Sequence, residues 1–344
     1  MFNSYMENDY FSGGVCYIAV NDEKLFHQAY GKANSIKNTS CELHTVFDLA
    51  SVTKIITTTI ILKIISDTSL KLSSTLSECL PNLSVNKVLA PITLKQLMTH
   101  SSGIRAWYPF YSQKKETVFS VLDTIDVMHN KKEETVYSDL NYILLGEVAK
   151  HHFNKSLQEI VQQELVAPLD LETLTYHPYD DGNIAATEFG NKIEKQMCKE
   201  GNFEFFDWRQ DGIPIVGEAN DGNAYYFFNG ESGHAGLFSN TTDIVKIGQL
   251  YLKGGVYKGK QFIQKSLIDE ALTLQLGTRA LGWEQSEIYP EGFGHTGFTG
   301  TSIWIEPKKG ISVALLTNRL HVEHPRNINA FRKDIFREVH QSFS

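Results

Sequence analysis

The first part of the chain changes from strand-like segments to a continuous apolar run. Residues 13–20 and 25–30 have the apolar and aromatic composition of strands, and the polar residues 21–24 between them form a turn sequence. This pattern predicts a hairpin that ends at Gly31. After a polar linker, residues 55–65 are apolar on nearly every face. Such a run predicts a buried helix, although many of its residues are β-branched.

Helical periodicity dominates the middle of the chain, and strand patterns return near its C-terminal end. The predicted helices cover residues 93–100, 141–153, 156–166, 242–252 and 326–339. Long loops over a site are predicted for residues 175–230, where glycine, asparagine, aspartate and aromatic residues replace any clear period. Strands are predicted at 294–305 and at 310–317.

This order of elements predicts an α+β fold. The simplest packing joins both chain ends in one antiparallel sheet flanked by helices, with a mostly helical lobe beside it. We expect one catalytic unit over residues 1–344. Its sheet lobe would comprise about 1–50 and 233–344, and its helical and loop lobe about 51–232. A ligand site is expected between the two lobes.

Composition excludes several classes of function. The 344 residues are 42% hydrophobic and 21% charged, with a net charge of −8, which argues against a general nucleic-acid binder. No segment has the apolar length of a membrane span. The N-terminal residues lack a signal-peptide pattern, so a cytoplasmic location is expected unless a longer precursor is exported. The four scattered cysteines favour free thiols over disulfides or a zinc site, and no metal is expected.

The segment Ser51-Val52-Thr53-Lys54 lies at the start of the apolar run and is the first candidate for chemistry. If the helix begins near Ser51, the spacing of three residues places Lys54 on the same face, one turn away. The hydroxyl would then lie at the positive end of the helix dipole, and a desolvated lysine could act as its base. The alternative is a capping serine followed by a solvated lysine. The spacing alone leaves both interpretations open.

Two later segments carry compatible chemistry. Tyr137-Ser138-Asp139 precedes a predicted helix, where a phenol could relay a proton, although these residues could also be a helix cap. At residues 295–298, the sequence His-Thr-Gly-Phe precedes a strand. Glycine there would let a substrate approach the strand edge, where a backbone N–H could hold an oxyanion.

In this order and spacing, the three segments resemble the motifs of the serine penicillin-recognising superfamily, and most closely its class C β-lactamase-like serine hydrolases. Residues 97–103, 137–147, 233–239 and 294–301 all look like that branch. The resemblance implies a β-lactamase/transpeptidase-like fold without metal or organic cofactor. It implies a small ester, amide or peptide as substrate.

The resemblance also implies roles for individual residues. Ser51 would be the nucleophile that forms an acyl-enzyme, Lys54 would assist its deprotonation, and Tyr137 would be the general base and proton relay. The backbone N–H groups of Ser51 and Phe298 would form the oxyanion hole. Thr296 and Gly297 would line the strand edge beside the substrate.

Two positions depart from the family pattern, and both lie at expected substrate-binding positions. Asp139 stands where the family usually has an amide, and His295 stands where it usually has lysine. We expect Asp139 to lie near Lys54 and to raise its pKa. A missing lysine should disfavour substrates with a carboxylate, unless Arg105 or Arg279 supplies a cation.

Three functions therefore remain open at this point. The leading expectation is an esterase-like hydrolase for small esters or amides. The alternatives are a D-Ala-D-Ala carboxypeptidase or β-lactamase, and a non-catalytic penicillin-binding sensor. For His234 no catalytic part is expected, and the aromatic residues 225–228 are expected to be core.

Overall fold

Six strands form the central antiparallel sheet. The computed structural model describes residues 1–81, 86–114, 117–128, 135–179 and 183–343. The strands are β1 Gly13–Val20, β2 Glu23–Asn34, β3 Thr39–Ser40, β4 Phe47–Asp48, β5 Phe238–Ser239, β6 Val256–Tyr257, β7 Lys260–Gln261, β8 Phe293–Thr296, β9 Thr301–Glu306 and β10 Ile311–Thr317. The sheet order is β3-β2-β1-β10-β9-β8, while β4 pairs with β5 and β6 with β7. Tyr17 of β1 lies opposite Ala314 of β10, which confirms that both chain ends build one sheet.

Helices flank this sheet and fill the middle of the chain. They are α1 Phe2–Glu7, α2 Thr53–Asp67, α3 Leu76–Cys79, α4 Leu94–Met98, α5 Val118–Leu122, α6 Asp139–Phe153, α7 Leu157–Val161, α8 Lys192–Glu200, α9 Thr241–Leu252, α10 Lys265–Ala271 and α11 Asn329–Ser342. No helix among the described residues has both the length and the apolar composition needed to cross a membrane.

The two faces of the sheet pack against different helices because side chains alternate along each strand. Phe331 and Phe336 of α11 pack in one apolar cluster with Trp304 of β9. On the other face, Ala314 and Leu316 join a core that also contains α2, α6 and α9. The α+β architecture is therefore confirmed.

Helix α2 lies at the centre of the molecule. All residues from Thr53 to Leu62 are buried, including Lys54. Its buried threonines are satisfied by hydrogen bonds: Thr57 Oγ1 donates to the Gly233 carbonyl over 2.7 Å, and Thr59 Oγ1 donates to the Ile55 carbonyl over 2.8 Å. Because these hydroxyls have partners, a threonine-rich helix can be fully buried without the cost of unsatisfied polar groups.

Some predicted boundaries were wrong. The strand predicted at 294–305 is two strands, β8 and β9, joined by a tight turn in which the Gly297 N–H donates to the Thr301 carbonyl over 2.7 Å. Gly300 in this turn has φ +115°, which glycine adopts without strain. The predicted hairpin does not end at Gly31, since β2 continues to Asn34.

The predicted loops at 175–230 contain regular structure as well. Helix α8 and a π-helical turn at Asn223–Phe227 lie within them. Helix α8 is short and mostly polar, so its periodicity is hidden among charged residues. Positions 180–182 of these loops lie outside the described residues, as do positions 82–85 earlier in the same lobe.

Candidate active site

Ser51 lies in a short 3₁₀ turn, Ala50–Val52, between β4 and α2. The Asp48 carboxylate holds this turn, because its Oδ1 accepts from the Ala50 N–H over 2.8 Å and its Oδ2 accepts from the Asn220 N–H over 2.7 Å. Ala50 has φ +44°, a conformation that costs a non-glycine residue free energy. The turn therefore holds the nucleophile candidate in a strained, well-anchored backbone.

The Lys54 side chain is fully buried beneath Ser51. Its Nζ donates to Ser51 Oγ over 2.9 Å, to Asp139 Oδ1 over 2.8 Å and to the His234 carbonyl over 3.3 Å. These three acceptors match the three N–H groups of an ammonium. The predicted proximity of Asp139 to Lys54 is confirmed.

The ion pair with Asp139 determines the charge of Lys54. Burial lowers the pKa of Lys54, but the Asp139 carboxylate and the Tyr137 phenol together raise it by more than burial lowers it. The net pKa therefore lies above the ordinary value for lysine. Lys54 is consequently an ammonium at neutral pH. A neutral lysine that accepts the Ser51 proton does not fit this charge state.

Tyr137 lies beside the same ammonium. Lys54 Nζ is 4.8 Å from the centre of the Tyr137 ring. Burial raises the pKa of Tyr137 and Asp139 adds to the increase, whereas the neighbouring Lys54 and Ser51 favour the ionised phenol, and the net pKa lies above the ordinary value. Tyr137 is the remaining candidate for a base, with Lys54 as its electrostatic partner.

The β8–β9 turn packs directly against the Ser51 turn. Thr301 Oγ1 donates to the Leu49 carbonyl over 2.8 Å, and Thr299 Oγ1 donates to the Asp48 carbonyl over 2.7 Å. A Cβ on Gly297 would lie 2.5 Å from the Leu49 carbonyl oxygen, so only glycine permits this approach. Within the described ranges, no acceptor pairs with the backbone N–H of Ser51 or Phe298, which leaves both free for a substrate oxygen.

His295 is placed differently from its neighbours. Its side chain is 3% exposed, and its Nδ1 donates to the Thr296 carbonyl over 2.9 Å. Burial lowers the pKa of His295 well below its ordinary value, and the cations Lys54 and Arg279 lower it further. The imidazole is therefore neutral. Its ring lies beside the ring of Tyr137, with the two ring centres 6.0 Å apart.

A cavity of about 480 Å³ opens over these residues. Six of the eight predicted site residues line it, and Lys54 and His295 are buried behind the lining. The six are Ser51, Tyr137, Asp139, Thr296, Gly297 and Phe298. Neither Arg105 nor Arg279 is among the described residues that line the cavity.

The opposite wall was not predicted from the sequence. Its charged residues include Glu194 on α8 and Asp221, while Arg319 and Arg332, which were also not predicted, line the cavity beside the β8–β9 turn. No motif contains these residues: Glu194 and Asp221 come from segments of weak pattern, and Arg332 lies on a predicted helix that carries no motif. The mixture of glycine and aspartate around Asp221 is the one feature that pointed to a site.

Asp221 forms a second polar pair with His234. His234 Nε2 donates to Asp221 Oδ1 over 2.9 Å, and its Nδ1 accepts from Ser232 Oγ over 2.7 Å. Asp139, Asp221 and His234 present ligand atoms within 4.8 Å of one another, a set that could in principle hold a cation. Because Lys54 already donates to Asp139 and His234 donates to Asp221, donors of the protein already occupy one oxygen of each carboxylate.

The strained Ser51 turn, the buried Lys54 and the backbone N–H groups of Ser51 and Phe298 thus lie together at one cavity. The Beta-lactamase family profile matches residues 1–335, and the chain belongs to this family of serine hydrolases.

Relatives and solved structures agree with this assignment. The chain is 29% identical to an N-acetylmuramyl-L-alanine amidase of Bacillus subtilis (strain 168), over 96% of this chain and 84% of the relative. Its fold resembles EstCE1, a hydrolase with promiscuous acyltransferase activity, with a TM-score of 0.74 and 17% identity over 97% of this chain and 96% of the other. A class C beta lactamase from Rhodobacter sphaeroides has a TM-score of 0.73 and 18% identity, over 99% and 98% of the two chains.

Proposed function

We propose that this protein is a hydrolase that cleaves small esters or amides through an acyl-enzyme on Ser51. The observation that carries the proposal is the 2.9 Å contact between Lys54 Nζ and Ser51 Oγ, with Asp139 bound to the same ammonium at 2.8 Å. A fully buried lysine held this way stabilises negative charge near the serine. A solvated lysine after a capping serine would show neither the burial nor these contacts.

In the proposed acylation step, Ser51 Oγ attacks the substrate carbonyl carbon while Tyr137 accepts its proton. Tyr137 accepts this proton as a phenolate, which the Lys54 ammonium stabilises before the transfer, and the carbonyl oxygen accepts from the N–H groups of Ser51 and Phe298. Tyr137 then returns the proton to the leaving oxygen or nitrogen, whose bond to carbon breaks. Water releases the acyl group by the reverse sequence of proton transfers.

The cavity wall favours an uncharged, partly apolar substrate. Trp107, Ile193, Met197 and Phe298 all line the cavity, so an acyl or leaving group can be buried against them. Asp139 and Asp221 line the same space and would repel a carboxylate close to the nucleophile. Together these residues support the esterase-like proposal.

A second candidate is a peptidase or amidase for substrates that carry a carboxylate. It is favoured by Arg319 and Arg332, which line the cavity beside the β8–β9 turn. Arg332 Nη2 donates to the Gly297 and Thr301 carbonyls over 3.1 and 2.8 Å, so part of its donor set is already used. The similarity to an amidase of Bacillus subtilis also supports this second candidate.

Labelling with a fluorophosphonate tests the acyl-enzyme directly. We expect one covalent adduct, which peptide mass spectrometry assigns to Ser51 and which is absent from a folded Ser51→Ala variant. Turnover of p-nitrophenyl acetate by the unlabelled protein would exclude a sensor that stays acylated. An adduct at another residue, or none, would contradict the proposal.

The substrate class is tested with two substrates at two pH values. We expect a higher kcat/KM for a short p-nitrophenyl ester than for nitrocefin, which carries a carboxylate. Because burial and the nearby cations keep His295 neutral, the ratio of the two kcat/KM values should be the same at pH 6 and pH 8. Comparable rates on both substrates would favour the second candidate.

A further inference from the structure

Among the described residues, two cations face the ring of Tyr137. Lys54 Nζ lies 4.8 Å from the ring centre and the Arg279 guanidinium carbon lies 5.3 Å from it. Each cation is bound to one carboxylate, since Lys54 pairs with Asp139 over 2.8 Å and Arg279 Nη1 pairs with Glu284 Oε2 over 2.7 Å. The Arg279 and Glu284 side chains are only 17% and 16% exposed, so water screens this second pair weakly.

The backbone holds the second pair in place at the sheet edge. Glu284 and Gly294 of β8 exchange two hydrogen bonds, with N···O distances of 3.0 and 2.9 Å. The backbone of Arg279 forms an isolated antiparallel β-bridge with the backbone of Glu284. The segment that carries Arg279 is therefore hydrogen-bonded, through Glu284, to strand β8.

In the described part of the chain, the other side chains around Tyr137 are neutral. His295 approaches from β8 and His100 from the segment after α4, with its ring centre 4.6 Å from that of Tyr137. Burial lowers the pKa of both histidines well below the ordinary value, so both rings are neutral. Tyr142 of α6 is a neutral phenol, whose pKa burial raises. The charges that face Tyr137 therefore come from the two ion pairs.

We propose that Arg279 is a positioning residue for Tyr137, which acts on the phenol through its charge, and that Glu284 sets how much of this charge Tyr137 experiences. The inference rests on the proposed role of Tyr137 as the base. A cation near a phenol favours the phenolate, and a carboxylate on that cation weakens the effect. Removal of the cation and removal of its carboxylate must then have opposite effects on the base.

The test is the pH dependence of kcat/KM on p-nitrophenyl acetate, an uncharged substrate that cannot report on carboxylate binding. Arg279→Gln should move the midpoint of the rising limb upward by about one pH unit, because the phenolate loses a stabilising charge. Glu284→Gln should move it downward, since Arg279 is then no longer neutralised. Arg279→Lys keeps the charge and should restore most of the wild-type midpoint.

A matched control is available on α2. Lys63 Nζ lies 4.9 Å from the centre of the Phe262 ring and pairs with Asp67, so it reproduces the cation, ring and carboxylate away from Tyr137. Lys63→Gln should leave the midpoint unchanged. Where a variant is too slow for turnover, the pH dependence of fluorophosphonate labelling of Ser51 gives the same midpoint.

Opposite shifts in Arg279→Gln and Glu284→Gln support the proposal, and shifts in the same direction, or none in either, overturn it. A purely structural role would lower activity without moving the midpoint. The outcome is distinguishable from a failure of the proposed function: if Ser51→Ala keeps its turnover, the acyl-enzyme itself is wrong. If Ser51 is essential but the midpoints do not move, only the role of Arg279 is wrong.

Discussion

Two regions around the cavity are built in contrasting ways: the floor, formed by Ser51, Tyr137 and Asp139 with Lys54 beneath them, and the far wall, formed by Ile193, Glu194 and Met197 of α8. On the floor, Lys54 is fully buried and its three N–H groups all have acceptors within the protein. On the far wall, Met197 of α8 is 38% exposed and contacts the cavity with a flexible thioether chain. The floor is held by hydrogen bonds between distant segments, whereas the apolar side chains of the wall, Ile193 and Met197, are partly exposed.

This contrast separates two functions of the site. A residue whose every polar atom is satisfied in one geometry can place charge accurately for a reaction step. A half-exposed apolar residue contributes mainly contact area, which binds substrate and transition state almost equally. Changes on the floor should therefore lower kcat, and changes on the wall should alter KM.

The largest expected effect is on the floor. Ser51→Ala removes the nucleophile and should lower kcat/KM on p-nitrophenyl acetate by about a thousandfold or more. The melting temperature should change little, since Lys54 keeps its acceptors on Asp139 and His234 when the hydroxyl is removed. Residual turnover near the wild-type rate in a folded variant would show that the floor does not carry the chemistry.

The second effect concerns the packing that holds the floor together. A Cβ on Gly233 would lie 2.2 Å from the Tyr142 carbonyl oxygen and 2.9 Å from Gly146, where only backbone is present and cannot move aside. Gly233→Ala should destabilise the fold by about 1–3 kcal/mol and disturb the neighbouring His234 carbonyl that binds Lys54. Chemical denaturation measures the loss. Gly259→Asn, in an open turn with φ +76°, is the control and should be nearly neutral.

The third effect separates the charge of the floor from its shape. Asp139→Asn keeps the size of the side chain but removes a negative charge that raises the pKa of both Lys54 and Tyr137. Without that charge the phenolate is favoured, so the rising limb of kcat/KM against pH should move to lower pH, by about one unit. An unmoved limb would show that Asp139 does not act on the base.

The floor could be predicted from the sequence, and the far wall could not. The floor residues lie in short segments that resemble the motifs of a known family, so Ser51, Lys54, Tyr137 and the glycine-containing segment of the β8–β9 turn could be proposed from the sequence through that resemblance. The hairpin of β1 and β2 and the buried helix α2 were predictable for a related reason, since their apolar pattern is set by burial.

The wall could not be found this way. Glu194 and Met197 of α8 are far along the chain from Ser51, and tertiary packing alone brings this helix to the cavity. Helix α8 was interpreted as loop because its exposed face is strongly polar. The motif position of His295 predicts substrate binding, whereas the structure buries this residue behind the cavity lining with its Nδ1 donating to the Thr296 carbonyl, which no local pattern shows.

The smallest expected effect lies on this wall and tests the contrast from its other side. Met197→Ala removes part of an apolar surface, and each buried methylene contributes about 0.8 kcal/mol at most. Because Met197 is partly exposed, KM for a p-nitrophenyl ester with a long acyl chain should rise only about two- to fivefold, with kcat nearly unchanged. The acetate ester is too short to gain from this contact and should be hydrolysed as before. Gln196→Ala, on the exposed side of the same helix, controls for a general effect on α8. A fall in kcat that is equal for short and long esters would mean that the wall takes part in the chemistry, and the separation between floor and wall would then be wrong.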